Sequence, residues 1–318
     1  MHMLTLAAVG QFDFGLFFQQ IENGVTVGAM YALVALGYTL VYGIIELINF
    51  AHGDIFMWST VVTLVIVQAM GISGALTGAA LVGMLILLIA VGVVVSGGLN
   101  VVIERFAYRP LRRAPRLAPL IAAIGVSFIL ENVAQLWRGS NFVAFPGIFP
   151  AGAVIIGSVH INYLDIFIVV LAVLLMYGLD RLIRLTRLGR AMRATAQDPE
   201  AASLMGVNIN RTIVATFFIG GGLAGATAVF YNMYIGQVWF LTGFQLGLIA
   251  FTAAVLGGIG NVNGAVLGGF LIGVIKSIAI QYIPSGLQWS DAIVFAILVL
   301  ILVFRPSGLL GQQVPDKV

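Results

Sequence analysis

The chain contains no cysteine, so disulfides and thiolate metal centres are excluded. Its three histidines lie far apart, and no second histidine or cysteine stands near any of them. Metal and cofactor are therefore both read as none. No acidic pair or nucleophile–base constellation is apparent, so the chain reads as a non-enzyme. No GxxxxGK[ST] run occurs, which argues against ATP binding through a P-loop. Charge is scarce, at 8% Asp, Glu, Lys and Arg, and this is far below soluble usage. The net charge of +3 is small, and nothing supports binding to nucleic acid. The start, Met1-His2-Met3-Leu4, has no basic n-region and is read as carrying no signal peptide, with His2-Met3 read as a cloning remnant.

What fills the space is apolar. Mean hydropathy is +1.09 and 61% of residues are hydrophobic. Uncharged runs cover 23 residues from Asn23, 49 from Ile55 and 64 from Thr212. One crossing needs about 20 apolar residues, so these runs hold roughly one, two and three. They do not alternate with the period of a membrane barrel. The fold class is all-α, a polytopic helical membrane protein of about eight or nine segments, forming a single domain over 1–318.

The basic residues set the topology. Arg105, Arg109, Arg112, Arg113 and Arg116 form one cluster; Arg181, Arg184, Arg187, Arg190, Arg193 and Arg211 form another; Arg305 and Lys317 lie near the end. The positive-inside rule places all three in the cytoplasm. Segments at 19–45, 55–70, 77–103, 117–137, 162–180, 212–232, 246–259, 262–282 and 287–304 satisfy that constraint. They put the N-terminus outside and the C-terminus inside. The segment 246–259 spans only about 21 Å at 1.5 Å per residue, short of a bilayer core, and reads as broken or re-entrant. Residues 8–18 suggest an interfacial helix.

Glycines at close spacing, as at Gly92, Gly97 and Gly98, at Gly220, Gly221, Gly222 and Gly225, and at Gly264, Gly268, Gly269 and Gly273, let membrane helices approach closely. This reads as packing within one subunit or as a subunit interface. Two tight breaks interrupt the apolar runs. One holds Glu46, Asn49, His52, Gly53 and Asp54; the other holds Gly257, Gly258, Gly260, Asn261, Asn263 and Gly264. Non-helical backbone at membrane depth is tolerated where protein or a water-filled cavity satisfies it, and transporters place such breaks near their pathway. Plain turns, with Asp54 capping the next helix, account for them equally well. Asn49, His52, Asp54, Asn261 and Asn263 are the candidate pathway residues. His52 is read as a hydrogen-bonded structural histidine ahead of a proton relay. Lys276 is the one basic residue well inside a segment, a functional candidate unless it snorkels. Glu22, Glu131, Asp165 and Asp291 are read as interfacial.

The longest polar stretch, Leu188 to Arg211, is organised. Asp198, Pro199 and Glu200 make a helix start, since Asp caps free N–H groups, Pro suits the first turn and Glu suits the positive dipole end. Gly206 suits the position after the last turn. A helix near 188–196, a turn at 197–198 and a short helix 199–205 follow. Alone, the short helix reads equally as an amphipathic helix on the membrane surface.

Glu200-Ala201-Ala202, then Gly206, is similar to the cytoplasmic EAA loop of ABC-importer permeases, without the later Ile-x-Leu-Pro of that motif. The stretches 28–57, 188–208 and 253–273 resemble the H-type permease of the high-affinity branched-chain amino-acid ABC importers. The likeness covers nearly the whole chain. It implies a bacterial inner-membrane subunit moving branched-chain amino acids and driven by two separate ATP-binding subunits. It also implies a second, homologous permease and a periplasmic substrate-binding protein. The loop 186–210 would be the coupling element, with Arg190, Arg193, Asp198, Glu200, Ala201, Ala202 and Gly206 docking the ATP-binding subunit. Urea, amides or other amino acids remain alternative substrates, and an ion-coupled secondary transporter the alternative mechanism.

Overall fold

A computed structural model describes residues 13–311 apart from Arg113 and Arg116. The helices are α1 (Phe14–Ile45), α2 (His52–Ala69), α3 (Gly78–Ile103), α4 (Leu117–Arg138), α5 (Tyr163–Leu185), α6 (Arg187–Gln197), α7 (Pro199–Leu204), α8 (Ile209–Ile235), α9 (Thr242–Gly257), α10 (Val262–Tyr282) and α11 (Gly286–Phe304). A π turn, Glu104–Tyr108, and a 3-10 turn, Arg109–Leu111, extend α3. Among the described residues eight helices are long and apolar enough to cross a membrane, and α9 is a shorter apolar helix of 16 residues. The chain is a multi-pass helical membrane protein.

The nine apolar helices run alternately between two ends of the bundle. One end gathers the arginine-rich segments. There Arg112 bonds Asn210 across 2.8 Å, joining the segment after α3 to the start of α8. The other end carries short strands. β1 (Val143–Ala144) pairs antiparallel with β4 (Gln237–Val238), and β2 (Ala153–Ile156) with β3 (Val159–Asn162). The uncharged stretch 139–161 between α4 and α5 thus folds partly into strands. Gln19 at the start of α1 bonds both the N–H and the C=O of His160 in β3 and ties that end together.

The core lies on α1, α2, α8 and α9. Most of α1 and α8 is buried, whereas α3, α4, α5 and α11 expose most of their apolar surface, as a lipid-facing ring would. Packing is reciprocal between two triplets: α1 packs on α10 as α3 packs on α8, and α1 touches α9 as α8 touches α2. Because α1 runs toward the arginine end and α8 away from it, the triplets α1–α3 and α8–α10 have inverted topology, a common transporter plan. Glycines make both outer contacts. A Cβ on Gly28 would lie 2.8 Å from the Phe270 Cα, and one on Gly225 only 2.0 Å from the Gly92 carbonyl oxygen. The small-residue spacing therefore serves packing inside this chain, although Gly98 faces open space.

Boundaries differ from the sequence reading in instructive places. Phe14 to Phe18 form the first turns of α1, not a separate interfacial helix, and residues 8–12 lie outside the described residues. Asp13 caps α1 by accepting the Leu16 N–H at 3.1 Å. The short helix α9 begins at Thr242, earlier than expected, and rises about 24 Å.

Candidate translocation pathway and coupling site

The first break turns inward. Helix α1 ends at Glu46, whose left-handed backbone (φ 53°) sends the chain back into the bundle. Residues 46–51 then climb inside the protein before α2 starts at His52. Asn49, 2% exposed, donates to the Asn100 Oδ1 at 3.0 Å, and Asn100 in turn donates to the Phe217 carbonyl oxygen at 2.6 Å. The π turn swings Tyr108 inward so that its hydroxyl donates to the Ile48 carbonyl oxygen at 3.0 Å. These bonds answer the requirement that backbone at this depth be satisfied by protein. They join the re-entrant segment to α3 and α8. Asn49 is thereby a structural anchor of the break.

His52 is fully buried, edge-on to the Tyr38 ring with centroids 4.7 Å apart, and it packs against Gly37, where a Cβ would sit 2.3 Å from the Nε2. The next residue, Gly53, meets the first turns of α9. A Cβ on Gly53 would lie 2.1 Å from the Gly243 carbonyl oxygen, and one on Gly247 would lie 3.0 Å from the Gly53 Cα. The N-termini of α2 and α9 therefore face each other inside the bundle, in closed contact. Neither has a side-chain cap. Helix N-termini present free N–H groups and positive dipole ends, which suit an anionic group.

Asp54 does not cap α2. It lies in the first turn, fully buried, and its Oδ2 accepts the Ser127 hydroxyl of α4 at 2.5 Å. Glu131, one turn along α4, brings its carboxyl into hydrogen-bonding contact with Asp54. Glu131 is 6% exposed, because α4 packs this face on α2. No lysine or arginine among the described residues pairs with either acid. Lys276 does have a partner, Asp291 on α11, at 2.6 Å. That pair explains an ionisable group within the apolar body.

The second break is a different structure. Gly257 to Asn261 form a tight turn at the arginine end, and the segment after α11 folds onto it: the Leu309 and Leu310 N–H groups donate to the Leu256 and Gly257 carbonyl oxygens at 2.8 and 2.9 Å. Asn261 caps α10, accepting the Asn263 and Gly264 N–H groups at 3.0 and 3.3 Å. Asn261 and Asn263 line a vestibule of about 910 Å³ together with Tyr42, Glu46, Arg184 and Arg193. The five candidate pathway residues thus fall into two groups, with Asn49, His52 and Asp54 inside and Asn261 and Asn263 at the vestibule.

The coupling stretch follows the capping pattern. Thr186 caps α6, accepting the Gly189 N–H at 3.0 Å, and Arg193 donates to the Ile183 carbonyl oxygen, folding α6 back under α5. Arg190 reaches the Leu185 carbonyl oxygen at 3.5 Å. Asp198 accepts the Glu200 and Ala201 N–H groups at 2.9 and 3.0 Å. Gly206 takes φ +84°, and the Val207 N–H returns to the Ala202 carbonyl oxygen at 3.0 Å. Ala202 is buried, Glu200 and Ala201 are exposed, and Leu204 and Met205 stand out at 88% and 85% exposure. This six-residue helix therefore presents an apolar tip away from the bundle.

Comparison with known proteins agrees with this architecture. The model of the family described as branched-chain amino acid transport system, permease component, matches residues 20–302. The chain belongs to this family. It is 42% identical over 306 residues to the high-affinity branched-chain amino acid transport system permease protein BraD of Pseudomonas aeruginosa, covering 95% of this chain and 98% of that protein. It is 41% identical over 311 residues to LivH of Escherichia coli, a permease protein of the same kind of system, with the same coverage. A part, 59% of the chain, is 28% identical to the autoinducer 2 import system permease protein LsrC of Salmonella choleraesuis, covering 55% of it. No solved structure matches significantly. As a member of this family the chain is a transport subunit, not an enzyme.

Sequence reasoning missed Tyr38, Asn100, Tyr108, Ser127 and Glu131 as parts of the interior. One signal was available: Asn100 is an amide within a 49-residue uncharged run, where polar groups usually have partners.

Proposed function

We propose that the chain is the membrane subunit of an ATP-binding-cassette importer for branched-chain, hydrophobic amino acids in a bacterial inner membrane. The arginine end is cytoplasmic by the positive-inside rule, so the strand end and the N-terminus face outward and the C-terminus inward. A second, homologous permease, two ATP-binding subunits and a periplasmic substrate-binding protein complete the assembly. The observation that carries this reading is the capped helix α7, whose Leu204 and Met205 project, largely exposed, from the arginine end of a chain of this family. Exposed apolar side chains on so short a helix suit insertion into a partner's cleft.

In this reading the ATP-binding subunits grip α7, with Arg190, Arg193, Asp198, Glu200, Ala201, Ala202 and Gly206 shaping or flanking the docking element. Their closure displaces α6 and α7. The displacement passes through α8 and α5 to the contact between the first turns of α2 and α9. Asn49, His52 and Asp54 border the opened centre, and Asn261 and Asn263 border the inner vestibule. The zwitterionic backbone of an amino acid is matched by helix ends and amides, and its apolar side chain by the surrounding core.

The experiment is purification of the chain with its ATP-binding subunits and binding protein, followed by ATP hydrolysis with the binding protein loaded with leucine and then with urea. Stimulation by leucine alone supports the reading. Absence of any associated ATPase overturns it, and stimulation by urea alone overturns the substrate.

A further inference from the structure

A groove of about 740 Å³ lies on the outside of the bundle where the extension of α3 meets the first turns of α8. Its rim carries Arg105, Arg109 and Arg211, all exposed, and its walls include Val214, Ala215 and Phe218. None of the three guanidinium groups has a carboxylate partner among the described residues. The nearest acid in sequence, Glu104, is fully buried and engaged by Arg112, which also bonds Asn210. Three uncompensated cations therefore crown a groove whose lower part is apolar and open to the side, with Phe218 39% exposed.

We propose that this groove binds a phospholipid with a negatively charged headgroup. A soluble anion would use the rim and leave the apolar walls wet. A hydrocarbon chain alone would use the walls and leave the arginines unmatched. An anionic phospholipid uses both, with its phosphate among the guanidiniums, where charge-assisted hydrogen bonds are strong, and an acyl chain along Val214 and Phe218. A zwitterionic headgroup would bring an amine into a rim that already holds three cations. Basic pockets between membrane helices on the cytoplasmic side bind such headgroups for these reasons. Leu188 of α6 lines the same groove, so a bound lipid touches the element that carries α7. The site rests on the proposed cytoplasmic placement of the arginine end.

The test is native mass spectrometry of the full purified chain in detergent, titrated with phosphatidylglycerol or with phosphatidylcholine of the same acyl chains. Retention of phosphatidylglycerol above phosphatidylcholine is expected. Retention should fall about tenfold or more in R105Q/R109Q/R211Q, since each near-surface arginine is worth about fivefold for an anionic lipid. A charge-matched variant elsewhere, R181Q/R187Q/R305Q, should retain the lipid. A215W, which fills the wall and keeps every charge, should lose it, so the result does not hang on one variant folding. Equal retention of the two lipids overturns the site, as does undiminished phosphatidylglycerol in both groove variants. Displacement by millimolar inorganic phosphate would make it a free-anion site, and loss of lipid on adding the ATP-binding subunits would assign the groove to the partner protein; either result overturns the proposal. The readout needs neither ATPase nor uptake, so it fails or succeeds separately from the importer reading.

Discussion

Gly53 and Gly243 press backbone against backbone: a Cβ on the first would stand 2.1 Å from the carbonyl oxygen of the second, and the reverse substitution would leave 2.7 Å. The two residues lie in the first turns of α2 and α9, one helix in each inverted triplet. No side chain separates the two helix ends, and in the proposed mechanism their separation opens the centre.

Gly53→Ala therefore wedges this contact apart. Overpacking of a tight core costs about 1–3 kcal/mol, so the thermal midpoint of the purified chain should fall and uptake should be lost. An unchanged midpoint together with normal uptake would show that the contact is looser than the structure has it.

Asp54 and Glu131 touch without a cation, and burying charge without compensation is unfavourable. Asp54→Asn keeps a partner for the Ser127 hydroxyl, and its thermal midpoint should match or exceed that of the native chain. Asp54→Leu removes that partner and should destabilise by about 1–3 kcal/mol. Uptake measured beside stability separates two roles. Loss of uptake in the stable Asn variant marks Asp54 as a pathway group, and full uptake removes it from the pathway.

Asn100 holds Asn49 on one side and the Phe217 carbonyl oxygen on the other. Asn100→Ala strands buried groups, at about 1–3 kcal/mol for each left unsatisfied. Limited proteolysis should then nick the segment 46–51 faster than in the native chain. Tyr108→Phe removes one hydroxyl and should show the same cleavage more weakly.

Helix α7 separates docking from folding. Leu204→Asp with Met205→Asp alters only exposed surface, so the chain should reach the membrane and unfold at its native temperature. The ATP-binding subunits should no longer co-purify, and co-purification at native yield would count against docking through this tip. Gly206→Val adds a β-branched residue at φ +84°, with a backbone penalty of about 1–3 kcal/mol. Glu200→Arg should weaken coupled uptake and leave insertion intact.

The helices and their alternating order were legible because membrane crossing imposes length and composition directly. The cap at Asp198 and the turn at Gly206 were legible because capping is local in sequence. Asn100 and Tyr108 were not, since their partners are dozens of residues away and nothing near them announces the contact. The packing of Glu131 on α2 was hidden for a related reason. Position along a helix says how deep a side chain lies, but only packing says whether it faces lipid or a neighbour. The two breaks looked alike as strings of Asn and Gly, yet one climbs inside the protein and the other closes at the vestibule. The difference comes from Glu46 and from the tail after α11, which no local pattern joins to Gly257.

Helix α9 has only 16 residues, and a lone span of that length would pinch the bilayer. Here α1, α2, α10 and α11 pack around the helix, the segment after α11 covers its lower end, and its first turn opens outward at Phe244. Hydrophobic mismatch, usually absorbed by thinning the membrane or snorkelling, is here absorbed largely by helix packing. The missing turns become slack that the packed neighbours of α9 take up. A change in membrane thickness should therefore leave this helix undisturbed, while a change in how its neighbours lean reaches it directly.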